Sequence, residues 1–280
     1  MGDALETSTK RIRYHLRKPI PSASKIGYMN KHTPHAYIVD VGSSWNGVRT
    51  IGLRDKFSLP VVFIDPDSES LKRVNATTAD IKVAAAITSY DGEALFHYYQ
   101  DGTHSLLETN LEEVHMFIDG HTGQAAKIDD WTPQRSEVVQ CLTLQTLMNR
   151  LGVTSIEFLK VDAQGHDLKV IESLGGGISM VRFFEVEVQV TDFELYKGAS
   201  RLSDIMDFAS KNEFELIHSE SQTHGQERIL VFRNLHDPHG ATSVLSAKAL
   251  LQTLGESVPK VPKRSVFRIL LNCSRKFLFH

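Results

Sequence analysis

The sequence predicts an α/β fold in which a doubly wound, mostly parallel seven-stranded sheet ends in a C-terminal antiparallel hairpin. Three short apolar runs, 36–41, 61–65 and 81–87, alternate with stretches of helical character. Apolar runs of this length without polar alternation are typical of parallel strands that are buried on both faces. Two further strand-like runs, 214–220 and 228–234, are separated by a short polar turn and predict the hairpin.

Three more strand candidates, which bring the total to one more than the seven of the sheet, and five helices complete the predicted domain. The strands are expected at 92–99, 155–162 and 180–190. The helices are expected at 47–57, 67–76, 143–152, 166–177 and 200–212. Glycines end the third and fourth of these helices. The stretch 100–136 is predicted to be a loop with short pieces of structure, and a loop of that length in a compact domain is usually functional or disordered.

Charge is distributed unevenly along the 280 residues, whose net charge is −3. Residues 1–35 carry +5 and residues 241–280 carry +6, so the middle of the chain carries about −14. We therefore predict a basic N-terminal extension (1–35), a cofactor-binding α/β domain (36–240) and a basic C-terminal helical extension (241–280). An acidic domain disfavours a nucleic-acid partner, because phosphate binding needs a positive field.

The composition favours a cytoplasmic location. The first residues contain no apolar signal region, and no run of about 18 apolar residues occurs. Cys141 and Cys273 do not make a disulfide framework, which favours a reducing compartment. The segment 265–280 mixes apolar and basic residues. It predicts either an amphipathic helix in peripheral contact with an anionic membrane or a helix packed on the acidic body.

The segment from Asp40 to Gly47 is the candidate ligand site. Asp40 and Gly42 lie at the carboxyl end of a buried strand and Gly47 opens the next helix, where ligands of doubly wound folds lie. Gly42 would let the backbone approach a ligand closely, and Asp40 is placed to hold a cationic amine. Asp65 ends the second strand and suits the two hydroxyls of a ribose. These features predict a nucleoside cofactor.

Each feature also has a simpler explanation. Gly42 and Gly47 occur in ordinary turns, and Asp65 is also typical of an acid at a helix N-terminus. The spacing from Gly42 to Gly47 lacks the G-x-G-x-x-G pattern that cradles a pyrophosphate. A nucleoside cofactor is therefore favoured over a dinucleotide.

Motifs along the chain carry a resemblance to a known family. They read YIVDVGSSWNG, VVFIDPDSESLKRV, AAITSYDGEALFHYY, HSLL and, within 139–175, FLKVDAQGHDLKVIESLG. With these motifs the chain resembles the FkbM-type methyltransferases, a family within the Rossmann-like class I S-adenosylmethionine fold. The resemblance covers about 36–236, and the block at 139–175 is its most specific part. It implies S-adenosylmethionine as the cofactor.

The resemblance implies cofactor contacts at the ends of the first three strands. These residues are Asp40, Gly42, Ser43, Ser44, Asn46, Gly47, Asp65, Pro66 and Ala86. Lys160, Asp162 and Gly165 match a fourth-strand motif beside the transferred methyl. Gln164 stands where the family usually has Glu, and the first motif is one residue longer than its common form.

Three residues are candidates for catalysis. Asp162 is the first candidate for a base or an acceptor contact, and a helix-capping acid is its alternative. His166 has a suitable unperturbed pKa for a base, although a surface histidine is equally expected at a helix start. Lys160 shares a strand face with Asp162, so an ion pair is as well supported as a catalytic role. The predicted acceptor contacts are His104, Ser105, Gln164 and Glu187.

The sequence thus predicts an S-adenosylmethionine-dependent methyltransferase that O-methylates a small molecule or a glycan. The choice of oxygen as the acceptor is implied by the resemblance alone. The thirteen histidines form no metal signature, so no metal is expected. Two alternatives stay open: a cofactor-binding module of the same fold without turnover, and a nucleotide-dependent oxidoreductase, which would need the missing pyrophosphate loop.

Overall fold

The computed structural model of the protein describes residues 36–43, 48–99, 103–120, 122–236 and 245–255. These residues belong to two units, one that ends at Leu245 and one that begins at Ser246. The described part of the second unit is a single helix, Ala247–Thr253, whose first turn is capped by the Ser246 hydroxyl.

Ten strands in the described part of the chain form two sheets. They are β1 (Tyr37–Val41), β2 (Val61–Ile64), β3 (Ile81–Val83), β4 (Ala86–Ile87), β5 (Gly92–Tyr98), β6 (Arg135–Leu142), β7 (Ile156–Val161), β8 (Val181–Gln189), β9 (Phe214–Gln222) and β10 (Glu227–Asn234). The larger sheet has seven strands in the order β3-β2-β1-β7-β8-β10-β9, and the smaller one has the order β4-β6-β5.

The larger sheet confirms the predicted fold class. Pairs β1–β2, β1–β7, β2–β3 and β7–β8 are parallel, whereas β10 is antiparallel to both β8 and β9. A tight 3-10 turn at Thr223–Gly225 joins β9 to β10, as expected for a C-terminal hairpin. The order reverses between β1 and β7, which puts a crevice at the carboxyl ends of these strands.

Five helices of the first unit connect these strands within the described residues. They are α1 (Val48–Phe57), α2 (Ser68–Arg73), α3 (Leu144–Leu151), α4 (Asp167–Glu172) and α5 (Leu202–Lys211). The Thr143 hydroxyl caps α3, and Gly152 ends it in the left-handed conformation that glycine adopts without strain. Helix α4 is shorter than predicted, because its glycines form a 3-10 turn at Gly175–Met180. None of the described helices is long and apolar enough to cross a membrane.

Two sequence-based strand assignments need correction. The run 81–87 is not one strand, because β3 ends at Val83 and the chain then turns into the smaller sheet as β4. The strand predicted at 92–99 is confirmed as β5, but its partner β6 was missed, because no strand was predicted at 135–142. Apolar patterning reports burial but does not specify which neighbour a strand pairs with.

The stretch 100–136 contains more packed structure than a loop. Its described residues include a 3-10 turn at Val114–Met116 and the start of β6. Phe117 and Trp131 pack edge to face with ring centroids 5.5 Å apart, and Trp131 also contacts Tyr196 at 5.8 Å. Such aromatic pairs contribute about 0.5–1.5 kcal/mol beyond their buried area. Through this aromatic cluster the stretch packs against other residues of the first unit.

The two faces of the larger sheet differ in polarity near the strand ends. On one face Val39, Val41, Leu159 and Val161 are buried with apolar residues of α3, α4 and α5. Each fully buried side chain of this kind contributes roughly 1.5–3 kcal/mol. Because side chains alternate along a strand, the intervening Asp40 points to the opposite face. That face carries the charged residues of the candidate site.

Candidate active site

A row of charged side chains crosses three neighbouring strands. The strand register places Asp40 of β1 beside Lys160 of β7, and Lys160 beside Glu185 of β8. Lys160 Nζ lies 3.4 Å from Asp40 Oδ1 and 3.6 Å from Asp162 Oδ2. Burial lowers the pKa of Lys160, but the charges of Asp40 and Asp162 outweigh it and raise the pKa overall. The ammonium therefore stays charged and cannot accept a proton at neutral pH.

Two side chains of helix α1 contact the carboxylates at the two ends of this row. The Thr50 hydroxyl donates to Asp40 Oδ2 at 2.6 Å, and Arg49 Nη2 lies 3.0 Å from Glu185 Oε2. Burial raises the pKa of Glu185, while the positive charges of Arg49 and Lys160 oppose the shift. Asp40 Oδ1 is buried and accepts no hydrogen bond from the described residues, although it is ion-paired with Lys160. Buried carboxylate oxygens are normally hydrogen-bonded, so this oxygen can accept from a ligand.

Gly42 allows β1 and β7 to approach each other closely. Its φ is +77°, and a Cβ at this position would lie 1.8 Å from the backbone oxygen of Asp162. The Asp162 amide also donates to the Val41 carbonyl at 3.1 Å. No side chain larger than hydrogen fits there, so glycine at position 42 is what allows the Asp162 carbonyl to lie against this turn.

Ser43 ties the turn after β1 to the neighbouring strand. Its hydroxyl donates to the Asp40 carbonyl at 2.8 Å and accepts from the Ile64 amide at 3.1 Å. This bonding gives the Ser43 side chain a structural role. The predicted cofactor contacts Ser44, Asn46 and Gly47 lie outside the described residues.

Asp65 follows β2 and is 7% exposed. Burial raises its pKa to about 7, while a hydrogen bond of 2.7 Å from the Asp67 amide to Asp65 Oδ1 opposes the shift. The carboxyl is thus close to half protonated at neutral pH. It would become fully ionised on accepting hydrogen bonds from the hydroxyls of a ligand.

A cleft with mostly apolar walls opens beside Asp65. It is lined by Val41, Gly42, Ile64, Pro66, Ala85, Ala86, Ile87, Phe96, His104, Leu106, Ala163 and His166. His166 Nε2 lies 2.9 Å from the Thr88 hydroxyl, and burial lowers the pKa of His166 to about 4. The Tyr99 amide donates to His104 Nδ1 at 3.2 Å, and burial also lowers the pKa of His104. Its mostly apolar lining, in which both histidines are neutral near pH 7, suits an uncharged aromatic ring.

A second cavity, of about 530 Å³, lies on the other side of Asp162. Its lining combines the predicted residues Asp162, Gln164 and Glu187 with Glu227 and Trp131. Burial raises the pKa of Glu187 to about 8, and the charges of Asp162 and Glu227 add to the shift. Burial also raises the pKa of Glu227, which accepts a hydrogen bond from the Thr223 hydroxyl. The cavity offers several carboxyl groups and an aromatic wall to a polar molecule.

The loop between β7 and α4 shapes the floor shared by the two cavities. Asp167 accepts hydrogen bonds from the backbone amides of Ala163 at 2.7 Å and Gly165 at 3.1 Å. Burial raises the pKa of Asp167 to about 7. Gln164 Nε2 donates to Asp162 Oδ1 at 2.9 Å, and the Ser105 hydroxyl donates to the Gln164 carbonyl at 2.8 Å. Asp167 therefore holds the loop, and its carboxylate faces backbone rather than either cavity.

The structure divides the predicted site residues into two groups. Lys160, Asp162, Gln164 and Glu187 come together around the larger cavity. The cleft instead holds the residues predicted at the ends of β1 to β4, together with both histidines: Gly42, Pro66, Ala86, His104 and His166. Ser105 contacts the loop backbone and not a cavity.

Several residues of the site were not identified from the sequence. Arg49 and Thr50 lie on α1, and Glu227 lies on β10, so their approach to the site depends on tertiary packing. Glu227 shares a strand face with Ile229, which lies opposite Glu187, but this register is a property of the folded sheet and not of the sequence. Among the described residues, no group of three or more His, Cys, Asp or Glu side chains is arranged to hold a metal ion.

The geometry fits a nucleoside-type cofactor with a charged tail. Asp40 supplies a buried oxygen without a hydrogen bond from the described residues, and Gly42 contributes to the lining of the cleft. Asp65 and the neutral cleft lie next along the strand ends. These are the features that a ribose, an aromatic base and an ammonium group require.

Comparison with known proteins identifies the family. A family model described as the methyltransferase FkbM domain matches residues 53–216, which include Asp65 and Asp162 but begin after Gly42. No curated protein matches the chain. The solved structure of TnmH is 12% identical over 71% of this chain and 49% of its own, with a TM-score of 0.32, so the chain spans about half of its length. An S-adenosylmethionine-dependent methyltransferase from Anabaena variabilis is 11% identical over 72% of this chain and 78% of its own, with a TM-score of 0.34. Because the family match covers more than half of the 280 residues, the chain belongs to the FkbM methyltransferase domain family.

Proposed function

We propose that the protein transfers a methyl group from S-adenosylmethionine to a hydroxyl oxygen of a small molecule or glycan. The position of Asp162 carries this proposal. Its backbone contacts the Gly42 turn beside the cleft, and its side chain lines the cavity of about 530 Å³. One residue thus joins a nucleoside-type site to a cavity for an acceptor.

The cofactor side of the site would use groups from three strands. Asp65 accepts hydrogen bonds from the ribose hydroxyls, and the neutral cleft receives the base. Asp40 Oδ1 accepts from the ammonium group of the methionine part. S-Adenosylmethionine, when bound, supplies an electrophilic methyl group on a sulfonium. The chain itself has to align the acceptor with that methyl and exclude water.

The acceptor side supports an oxygen nucleophile. Asp162 is the candidate base, because its carboxylate lines the cavity, whereas the neighbouring Lys160 stays protonated and cannot accept a proton. Glu187 and Glu227 can accept hydrogen bonds from further hydroxyls of a polyol, and Trp131 adds an aromatic side chain to the lining. His166 is a weaker candidate for the base, since its pKa of about 4 and its place in the cleft separate it from this cavity.

A radiometric transfer assay tests the proposal. Protein, methyl-tritiated S-adenosylmethionine and a panel of mono- and polyhydroxylated acceptors are incubated, and label in the acceptor is counted. We expect transfer to at least one hydroxyl acceptor and a loss of about 100-fold or more in D162N, in line with the usual contribution of a general base. The matched control is D129N, which removes an exposed carboxylate and should leave transfer unchanged. Cofactor binding without transfer to any acceptor would favour the binding-module alternative.

A further inference from the structure

Gln164 has a backbone conformation that is uncommon for its residue type. Its φ is +50°, in the left-handed region, which costs a non-glycine residue about 1 kcal/mol or more. The Ser105 hydroxyl, on a residue only 1% exposed, donates to the Gln164 carbonyl at 2.8 Å and holds this conformation. Strain of this kind persists where the surrounding structure requires the side chain at one place.

The Gln164 side chain lies between a carboxylate and a tyrosine. Because the Asp162 carboxylate only accepts hydrogen bonds, the amide nitrogen of Gln164 faces it, and Nε2 donates to Asp162 Oδ1 at 2.9 Å. Oε1 then faces the Tyr196 hydroxyl at 3.2 Å. That hydroxyl also lies 2.7 Å from the Thr103 carbonyl, so its single proton is shared between this oxygen and Gln164 Oε1. Tyr196 therefore favours one orientation of the amide.

Tyr196 is itself held firmly. It is 4% exposed and belongs to the aromatic cluster, with its ring 5.8 Å from Trp131 and 6.2 Å from Tyr99. The packing of its ring against these two aromatic residues thus sets the position of its hydroxyl. A rigid tyrosine can restrict the rotation of Gln164, and Gln164 can restrict the carboxylate that it touches.

Other charged groups interact electrostatically with Asp162, but they do not orient its carboxylate through a hydrogen bond as Gln164 does. Lys160 lies 3.6 Å from Oδ2 as an ion pair, while Asp167, Glu187 and Glu227 interact with Asp162 through charge. Within the described residues, Gln164 donates the one side-chain hydrogen bond that the Asp162 carboxylate receives. A glutamate at position 164 would put a second carboxylate against the first and could not donate when ionised.

We propose that Gln164 and Tyr196 are positioning residues that hold the Asp162 carboxylate in the orientation required for methyl transfer. This inference rests on the proposed function, in which the Asp162 backbone adjoins the cofactor cleft and its carboxylate lines the acceptor cavity. It assigns Gln164 to the support of the base rather than to direct acceptor binding. It also gives the glutamine at 164 a specific use, because only a neutral amide can donate to Asp162 and accept from Tyr196.

The test uses two probes that need no acceptor. They are S-adenosylhomocysteine and sinefungin, an analogue that carries an amine-bearing carbon in place of the methylsulfonium. An ammonium in that place would contact the Asp162 carboxylate, so the ratio of the two dissociation constants reports the orientation of the carboxylate. Calorimetry on the full chain gives this ratio for wild type, D162N, Q164L, Q164E, Y196F and the control Y99F. Tyr99 is a buried tyrosine of the same cluster whose hydroxyl donates to the Leu107 carbonyl rather than contacting Gln164.

We expect the wild type to prefer sinefungin and D162N to lose that preference. The preference should fall about tenfold in Q164L and Q164E, and about threefold in Y196F, as expected for the loss of one charge-assisted contact or of its support. Binding of S-adenosylhomocysteine should stay within about twofold, and Y99F should behave as wild type. Y196F is the deciding variant if Q164L does not fold, since it removes a single hydroxyl.

Two outcomes would overturn the inference in distinguishable ways. If D162N loses the preference for sinefungin but both the Gln164 variants and Y196F keep it, the positioning role is wrong and the proposed function stands. If the folded wild type binds neither probe, or shows no preference for sinefungin, the role of Asp162 fails and the positioning role fails with it.

Discussion

At the scale of single residues, the site is defined by carboxyl groups in different electrostatic surroundings. Asp40 is paired with Lys160, whereas burial raises the pKa of Asp65 to about 7 and that of Glu187 to about 8. A group near half ionisation responds strongly to a ligand that favours one of its protonation states. The affinity of the site for its cofactor should therefore depend on pH.

Asp65 gives the sharpest residue-scale prediction. Two ribose hydroxyls need two acceptor oxygens, which only the ionised carboxylate provides without competition from its own proton. With a pKa of about 7, roughly a tenth of the carboxyl is ionised at pH 6 and nine-tenths at pH 8. We expect the dissociation constant for S-adenosylhomocysteine to be about tenfold higher at pH 6 than at pH 8. Calorimetry at both pH values measures this.

The D65N variant provides the control for that prediction. An amide cannot ionise, so binding should weaken by about tenfold or more at pH 8 and lose most of its pH dependence. An unchanged pH dependence in D65N would place the responsible group elsewhere, and the assignment of Asp65 to the ribose would lose its support.

Sequence reasoning identified residues at strand ends better than residues that reach the site through packing. Asp40 lies near the end of β1, and Asp65 and Asp162 directly follow β2 and β7. The strand pattern alone places such positions at the crevice. Tyr196 and Glu227 reach the site from a loop and from the last strand of the hairpin. Nothing in local patterning specifies which side chains such distant segments bring together.

At the scale of secondary-structure elements, the close contact between β1 and β7 determines the site. Gly42 and Gly152 both have positive φ, +77° and +69°, but only Gly42 meets backbone, since a Cβ at Gly152 finds no described atom within 4 Å. Replacing either glycine would carry the cost of a positive φ, but only at Gly42 would the new Cβ also collide with backbone.

Substituting alanine at each position separates these two effects. We expect G152A to lower the free energy of unfolding by about 1–2 kcal/mol, the cost of a left-handed alanine. G42A should lower it by a further 1–3 kcal/mol, since β1 and β7 have to separate to admit the methyl group. It should also abolish binding of S-adenosylhomocysteine. Urea denaturation and calorimetry measure both effects, and equal behaviour of the two variants would argue against the proposed close approach.

The elements themselves were largely predictable, and their pairing was less so. The parallel core and the C-terminal hairpin follow from apolar runs and turn residues. The split of 81–87 between two sheets does not, because Val83 and Ala86 are both apolar and buried. The pattern of apolar residues therefore does not show where the chain passes from one sheet to the other.

At the scale of the whole molecule, buried carboxyls couple folding to protonation. Burial raises the pKa of Asp65 and Asp167 from 3.8 to about 7, and that of Glu187 from 4.5 to about 8. Between about pH 5 and 7 the folded state therefore binds more protons at these groups than the unfolded state does. Stability then falls as pH rises through this range, which is the opposite of the usual effect of ion-paired carboxylates.

We therefore expect the free energy of unfolding to be higher at pH 6 than at pH 8, by about one to a few kcal/mol. Urea denaturation of the cofactor-free protein at the two pH values tests this, with E187Q as the variant in which the difference shrinks. A stability that rises between pH 6 and pH 8 would show that these carboxyls are ionised in the folded protein.

The two ends of the chain differ from the middle in their positive charge, which is known from the sequence. The basic segments 1–35 and 265–280 lie outside the described residues, so the proposed membrane contact of the C-terminal segment stays a prediction. Flotation of the full chain with anionic vesicles, compared with a chain ending at residue 255, would measure that contribution.

The most direct test of the central claim is a calorimetric titration of the intact, folded protein with S-adenosylhomocysteine at pH 8. The arrangement of Asp40, Gly42 and Asp65 at the strand ends predicts saturable binding of one molecule per chain, which is weakened about tenfold or more in D65N. An absence of binding by protein shown to be folded would contradict the assignment of this site to the cofactor.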